Sequence, residues 1–297
     1  MDKGHVIINR PMNFNFSKRI PLNKGWSSDR KFILKSTQET VLLRILDKSK
    51  FDRKIKEINH LHQLDLAPVQ FSQAISVELV KNEVHYKTSY LFGQDLDEVI
   101  ESLSLDKQAE LGNQAGFALK AIHSQVKLNE TILWEKHYGS KMDRNIKAYR
   151  ECGTRFSGDD LLIDKLNELR GLIKDRPVSF QHGDYHIGNF LLCEDGNLGI
   201  LDFDRWDIGD PWEEFNRLVW CREKSPVFTR AMIMSYFDDQ IPESFFDLLF
   251  LYIGVNALAS IPWATKYNDE EIQVMLKLIQ RFDEDTLHFS QTRPLWF

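Results

Sequence analysis

The spacing of apolar and polar positions changes character about a third of the way along the chain. Up to residue 92 the apolar runs are short and set off by polar turns, the signature of strands. Residues 14–22, 31–35 and 40–45 read as strands, and 77–80 and 85–92 as two more about Lys81-Asn82-Glu83. One helical stretch interrupts them: across 51–66, Ile55, Ile58, Leu61 and Leu64 recur at helical spacing, with Pro68 beyond the end. From Ser104 the pattern is helical. Ser104 is a candidate N-cap for a helix to His123 that turns Ala109, Ala115, Leu119 and Ile122 inward. Gly112 and Gly116 inside it each cost about 1 kcal/mol relative to alanine, so a close neighbour is expected there. Further helices are predicted over about 160–174, from Pro211 or Trp212 onward, and over 228–238, 244–260 and 269–288, with their aromatic stripes in the core. Between them, Phe190–Cys193 and Leu198–Leu201 are apolar runs on either side of Asp195-Gly196, which predicts a β-hairpin with a two-residue type I′ turn.

Composition narrows the class. A chain of 297 residues, 42% hydrophobic and 28% charged, can bury a sizeable core and is long enough for two lobes. Cys152, Cys193 and Cys221 are too few and too scattered for a disulfide framework or a zinc site. With no N-terminal apolar segment after a basic start, this predicts a reducing, cytoplasmic setting. The long apolar run from Phe245 to Ala264 carries Asp247, Asn256 and Pro262, which suits a buried helix better than a membrane span, so no membrane partner is expected. The net charge of −6 is uneven: residues 1–92 hold sixteen Lys/Arg against nine Asp/Glu, and the remainder twenty-two against thirty-five. A basic first part facing an acidic second part suits a cleft with a nucleotide on one side and a cation on the other, although solvated faces explain much of any such imbalance. The acidic balance argues against nucleic-acid binding.

The chemistry gathers at Gln181-His182-Gly183-Asp184-Tyr185-His186-Ile187-Gly188-Asn189 and at Asp202. With a two-residue turn at Asp195-Gly196, the hairpin register sets Asn189 directly opposite Asp202. An amide oxygen and a carboxylate meeting there suit Mg²⁺, which takes oxygen ligands and keeps phosphate oxygens in its shell. Asp184, on the preceding loop, is free to point at whatever the metal orients. The arrangement suggests metal-dependent phosphoryl transfer: Asn189 and Asp202 hold Mg²⁺, and Asp184 accepts or orients the proton of an acceptor hydroxyl. His182 reads as a brace for the loop; His186 is either a second support or close to the phosphates.

His-Gly-Asp-x-x-x-x-Asn resembles the catalytic loop of the protein kinase-like small-molecule kinases, with Asp202 in the place of the metal-binding Asp of their Asp-Phe-Gly motif. The His-Gly-Asp spelling is similar to that of the aminoglycoside phosphotransferase and choline kinase family. The continuation Ile-Leu-Asp-Phe-Asp-Arg-Trp-Asp-Ile-Gly-Asp-Pro-Trp-Glu-Glu-Phe over 200–215 is closest to the aminoglycoside phosphotransferases. The resemblance implies an α+β, protein kinase-like fold: a small antiparallel β-sheet N-lobe with one helix over residues 1–92, a linker at about 90–95, and a larger, mainly helical C-lobe over 93–297. It implies ATP or GTP as donor. It places Ser27 and Ser28 in the nucleotide loop Asn23–Asp29, which by itself, with one glycine, reads more often as a plain hairpin turn and gains weight from its position. It puts Arg44 where kinases carry a phosphate-pairing lysine, a departure from the pattern because arginine pairs differently. Glu57 is then the candidate partner of Arg44, and Tyr90 and Phe92 sit where linker backbone meets a purine edge. A surface arginine and a solvated glutamate are the alternatives for that pair.

The acceptor is less defined. Asp202, Asp204, Asp207, Asp210, Glu213 and Glu214 are opposed in that segment by Arg205 alone. Asp210, Glu213 and Glu214 suit the ammonium groups of a cationic acceptor, and suit a helix N-terminus equally well. Trp206, Trp212 and Trp263 fit either a quaternary-ammonium cage or the core. The resemblance favours a small-molecule kinase acting on a hydroxyl of an aminoglycoside-type antibiotic. The same chemistry on choline, homoserine or a sugar, or on another antibiotic such as a macrolide, is the alternative. A catalytically silent binding module is disfavoured because Asp184, Asn189 and Asp202 are all present.

Overall fold

A computed structural model describes residues 5–6, 17–22, 29–129 and 131–297. The N-terminal part supplies β1 (His5–Val6), β2 (Lys18–Pro21), β3 (Arg30–Lys35), β4 (Thr40–Asp47), α1 (Phe51–Leu61), β5 (Gln70–Phe71), β6 (Ala74–Val80) and β7 (Glu83–Ser89). All of these strands but β5 make one antiparallel sheet in the order β1-β6-β7-β4-β3-β2. Helix α1 packs on β6 through Ile58 and Leu61, both fully or nearly fully buried, as their spacing predicts. It stops at Leu61, short of the expected 66, where turn bonds from His62, Gln63 and Leu64 take over. Among the described residues, the helix is the one large non-strand element of this lobe.

The C-terminal part follows with β8 (Gly93–Asp95), α2 (Leu96–Val99), α3 (Leu105–Gln125), α4 (Trp134–Glu151), α5 (Asp159–Leu169), β9 (Ser179–Gln181), β10 (Phe190–Cys193), β11 (Leu198–Ile200), β12 (Asp207–Gly209), α6 (Leu218–Lys224), α7 (Pro226–Tyr236), α8 (Phe245–Ala264) and α9 (Asp269–Asp285). Ser104 caps α3, its Oγ accepting from Lys107 N at 3.3 Å. The two helix glycines mark the close approach of α7: a Cβ on Gly112 would lie 2.3 Å from the Phe228 carbonyl oxygen, and one on Gly116 2.2 Å from that of Met232. Helix α8 is the centre of the helical core, with Phe245, Phe250, Leu251 and Tyr252 fully buried. Strands β8 and β5 flank β10 and β11 in a small sheet that ties the two parts together, and β9 pairs with β12.

The hairpin differs from its predicted register by one residue. Phe190 faces Ile200, Leu191 faces Gly199 and Leu192 faces Leu198, and Cys193 N donates to Asn197 O at 2.9 Å. The turn therefore holds three residues, Glu194-Asp195-Gly196. A type I′ turn needs two consecutive left-handed residues. Here the Asp195 carboxylate accepts from Asn197 N at 3.0 Å, and in the turn only Gly196 goes left-handed, at φ +83°. As a result Asn189 pairs with Leu201, whose N–H donates to the Asn189 carbonyl at 2.9 Å, and Asp202 lies one residue farther on.

Candidate active site

Strand β9 delivers the chain into the loop 182–189, and four kinds of contact hold it. Gly183 is left-handed (φ +82°), and a Cβ there would lie 2.0 Å from the Arg205 carbonyl oxygen, so no other residue fits without moving the backbone. Its N–H donates to the Glu214 carboxylate at 2.9 Å. His182 is fully buried: Nδ1 accepts from Asp184 N at 3.2 Å, which leaves Nε2 to donate to the Leu201 carbonyl at 2.8 Å. This is the bracing role that the sequence suggests. Asn189 Nδ2 donates to the Asp184 carbonyl at 2.8 Å, which turns the amide oxygen to the other side, as a metal ligand requires. His186 Nδ1 accepts from Gly188 N at 3.2 Å, and its ring stands 5.7 Å from that of Trp220.

Asp184 is mostly buried and surrounded by cations. Arg217 Nε lies 2.8 Å from Oδ1, His186 Nε2 3.5 Å from the same oxygen, and Arg205 Nε 3.7 Å from Oδ2. Burial alone would push the carboxyl up. The nearby His186 ring and the charges of Arg217 and Arg205 outweigh it and hold Asp184 well below the usual carboxylate range. The group is thus a permanent carboxylate, a firm hydrogen-bond acceptor for a hydroxyl and a weak base.

On the opposite side, Asp202 adopts a left-handed backbone (φ +59°) and remains half-exposed. Arg44 reaches it at 3.5 Å, and also meets Asp29 at 2.5 Å and Asp204 at 3.2 Å. The expected Arg44–Glu57 pair does not form. Glu57 is buried against Lys54 (Nζ to Oε2, 2.6 Å) and the Tyr86 hydroxyl (2.8 Å), and the same ammonium bonds Asp204 at 2.6 Å. Lys54 stands one helical turn before Glu57 on the inner face and satisfies it locally, which frees Arg44 for the three aspartates. The clue in the sequence is a lysine on the apolar stripe of α1, in step with Ile58 and Leu61. Lys31 lies directly opposite Arg44 across the β3–β4 pair. Tyr90 and Phe92 meet edge-on, 5.0 Å apart, just before β8. Ser27 and Ser28 fall outside the described residues.

The acidic segment faces inward. Asp210 is fully buried, gripped by Arg176 (2.6 and 2.9 Å), the Tyr252 hydroxyl (2.6 Å) and Trp212 N (3.0 Å), so it is not placed to meet a substrate. Glu213 is buried beside Lys141 (2.8 Å) and Gln181 (3.3 Å), and burial raises its carboxyl despite the lysine. Glu214 is the brace on Gly183. These three were the candidate ammonium ligands, and the structure turns them into supports of the loop instead. Nor do the tryptophans make a cage: Trp206 packs with His60 and Phe180, Trp212 with Phe237 and Phe245, and Trp263 with Tyr267. Arg205 and Arg217, now beside Asp184, were not singled out from the sequence. Nothing local marks them, because the pairing of β12 with β9 brings in Arg205 just before β12, and the turn after β12 brings in Arg217.

Three comparisons bear on this geometry. Among solved structures, a thermostable mutant of the aminoglycoside phosphotransferase APH(4)-Ia, in ternary complex with ADP and hygromycin B, is similar at TM-score 0.63 with 16% identity, over 90% of this chain and 93% of that one. ADP-bound APH(2'')-Ib is similar at 0.61 with 14% identity, over 90% and 94%. A putative aminoglycoside phosphotransferase from Ralstonia eutropha JMP134 is similar at 0.64 with 13% identity, over 91% and 92%. At such identities they show the fold: a protein kinase-like sheet lobe above a helical lobe. No curated protein matches the sequence. The family model described as phosphotransferase enzyme family, APH, matches residues 18–245, more than three quarters of the length. A small-molecule kinase is what the loop, the fold and this match describe together, and the chain belongs to the APH phosphotransferase family.

Proposed function

We propose that this kinase moves the γ-phosphoryl group of ATP or GTP to a hydroxyl of a small molecule in a Mg²⁺-dependent reaction, with residues 1–92 as the nucleotide lobe and 93–297 as the acceptor lobe. The observation that carries this reading is that one ionised, cation-ringed carboxylate, Asp184, is tied through its carbonyl to Asn189, whose backbone pairs with Leu201 next to Asp202, so that a carboxylate and two oxygen donors are held on one braced loop and hairpin. Those donors fit Mg²⁺, which keeps phosphate oxygens and water for its other positions. When bound, the metal supplies charge neutralisation on the phosphates. The chain's own residues do the rest. Asp184 accepts the hydrogen bond of the acceptor hydroxyl and aligns its oxygen for in-line attack. Arg44, held by three aspartates, offers its guanidinium at the nucleotide side.

ADP-containing structures of similar fold support a nucleotide donor. The resemblance points to an aminoglycoside-type acceptor. The burial of Asp210, Glu213 and Glu214 favours the second reading, a metabolite or a different antibiotic class, because it removes the carboxylates expected to hold ammonium groups. The test is calorimetric titration of ATP and GTP with and without Mg²⁺, then transfer assays on a panel of aminoglycosides, macrolides, amino alcohols, hydroxy acids and sugars. Metal-dependent nucleotide binding and transfer to one class are expected. Failure of both nucleotides to bind with Mg²⁺ present would end the kinase reading.

A further inference from the structure

The charge around Asp184 on the acceptor side has the opposite sign from that expected for a cation-binding site. Arg217 stands immediately before α6 with its side chain one quarter exposed, and Asp184 is its only ion-pair partner among the described residues. Its terminal nitrogens make no hydrogen bond to any described residue. Burial and the neighbouring Arg205 disfavour the charge on Arg217, while Asp184, Glu213 and Glu214 favour it. Arg205 approaches the other oxygen of Asp184 and is half-exposed. Two guanidiniums therefore share one carboxylate at the mouth of the site, and the forked end of the more buried one is left without a partner. The carboxylates nearest these arginines besides Asp184, Glu213 and Glu214, are already engaged, by Lys141 and by the Gly183 N–H. Asn216, Trp220, Asn256 and Ser260 line a cavity of about 30 Å³ behind His186, and none of its lining residues is charged.

We propose, on the basis of the kinase reading above, that the acceptor is a small hydroxyl compound carrying an oxyanion, a carboxylate or phosphate, near the hydroxyl that is phosphorylated. Arg217 and Arg205 hold the oxyanion and Asp184 holds the hydroxyl. A guanidinium fork matches a planar or tetrahedral oxyanion in a bidentate manner, whereas an ammonium brought to the same place meets two like charges. Arg217 and Arg205 are placed on the acceptor side because both pair with Asp184 and neither pairs with Asp202, whereas the ion pairs of Arg44 run to Asp29, Asp202 and Asp204. The excess of acids in the C-lobe works against an anion only at range: beyond about 8 Å salt screens it, and at contact distance the two arginines decide. In the transfer, the acceptor oxygen forms the new bond to the γ-phosphorus, and the bond from that phosphorus to the bridging oxygen breaks. The nucleoside diphosphate leaves with the electron pair, and the hydroxyl proton passes through Asp184 to water.

The test uses the full chain with Mg²⁺-ATP and three matched acceptor series: hydroxy acids and sugar phosphates, neutral polyols, and amino alcohols with aminoglycosides. The expected result is a kcat/KM for the best anionic acceptor at least about tenfold above its neutral counterpart, as charge-assisted contacts give. Its KM should rise as salt is raised from low to high. Arg205→Gln, at a half-exposed position that tolerates the change, should raise that KM about tenfold with kcat little altered. Arg217→Gln should raise it further, and Arg217→Lys should recover only part because the fork is lost. Carboxylate against phosphate acceptors in the first series identifies the source of the oxyanion. A best acceptor that is cationic, or a KM indifferent to salt, overturns the inference and leaves the kinase reading standing. Arginine variants that lower kcat at constant KM also overturn it, by assigning both residues to the transferred phosphoryl group. Absence of metal-dependent nucleotide binding overturns the inference and the kinase reading together.

Discussion

Replacing Asp210 with alanine separates a buried support from a substrate ligand. In the structure its carboxylate neutralises Arg176 through two hydrogen bonds and accepts from Tyr252 and Trp212 N, with no exposed surface of its own. Removing one partner of a buried ion pair costs about 3–5 kcal/mol, because the other charge is left uncompensated. Arg176 is not sealed: its side chain is 16% exposed and stacks 3.8 Å above the Trp212 ring, so water can reach part of the guanidinium. The Tyr252 hydroxyl is buried and keeps only the donation it receives from Trp134 Nε1 at 3.1 Å, which adds to the loss. These two corrections oppose each other, and about 4 kcal/mol is the expected destabilisation. At about 2–4 °C per kcal/mol for a body of this size, the melting temperature should fall by about 8–16 °C. Asp210→Asn, which keeps one acceptor oxygen and the shape, should lose roughly half as much. Melting is followed by circular dichroism in one buffer, and KM is measured well below the transition. A melting temperature within about 2 °C of wild type, together with a raised KM for any acceptor, would refute this reasoning and return Asp210 to the substrate site.

Three further outcomes are expected. Asp184→Asn should lower transfer by about 10²–10⁴-fold while Mg²⁺-nucleotide still binds, since the loop keeps its braces; wild-type-like turnover removes Asp184 from the chemistry. Asp202→Ala should abolish the Mg²⁺ dependence of nucleotide affinity in calorimetry, and an unchanged titration means the metal is held elsewhere. Because Asp184 is held below the usual carboxylate range, it stays ionised as pH falls through 5. Its contribution to stability and to acceptor orientation is present above the unfolded value near 4 and is lost only as pH drops through the lower folded value. The acid limb of kcat/KM should accordingly move upward in Arg217→Gln, and an identical limb in both proteins shows that Arg217 does not set the state of Asp184.

What could be read from the sequence was what local spacing encodes. The helix with Gly112 and Gly116 was legible because two helix breakers on an otherwise apolar face have few explanations besides a neighbour at backbone distance, and α7 is that neighbour. The loop 182–189 was legible because a brace, a carboxylate and an amide at fixed intervals form one chemical unit. The errors arose where a side chain answers to something distant or to a local competitor. The hairpin slid by one residue because Asp195 bonds the Asn197 N–H, a choice that the Asp-Gly pair does not reveal. Glu57 left Arg44 for Lys54, three residues earlier on the same helix. Asp210, Glu213 and Glu214 looked like an exposed acidic run, yet their partners are Arg176, Lys141 and the N–H of Gly183, each at least thirty positions away. Helix α4 was not predicted, although Tyr138, Met142, Ile146 and Tyr149 are its buried stripe; the intervening Lys, Arg and Asp conceal a weakly apolar face.

The charge asymmetry between the two parts of the chain takes on a different meaning once those partners are known. A basic N-lobe opposite an acidic C-lobe suggested a cleft prepared for a nucleotide and a cation. In the structure much of that charge is already matched across the lobes. Arg44 meets Asp202 and Asp204, Lys54 meets Asp204, and Arg53 donates to the carbonyls of Asp204 and Trp206 while lying 4.5 Å over the Trp206 ring. Asp204 carries the cost of burial, yet Lys54 and Arg44 hold its carboxyl well below the normal range, so the link is ionic throughout the neutral range. The segment 202–206 is therefore fastened to α1 and β4 at one end. At the other, the Arg205 carbonyl presses on Gly183 and the Arg205 side chain faces Asp184. A shift of α1 cannot leave the loop 182–189 untouched, because the five residues that carry Asp202 are also the ones that α1 grips. The two acids proposed to serve the transfer differ in this respect: Asp202 stays half-exposed beside Arg44, whereas Asp184 is mostly buried and meets Arg205 and Arg217, the two arginines on which the proposed oxyanion site rests.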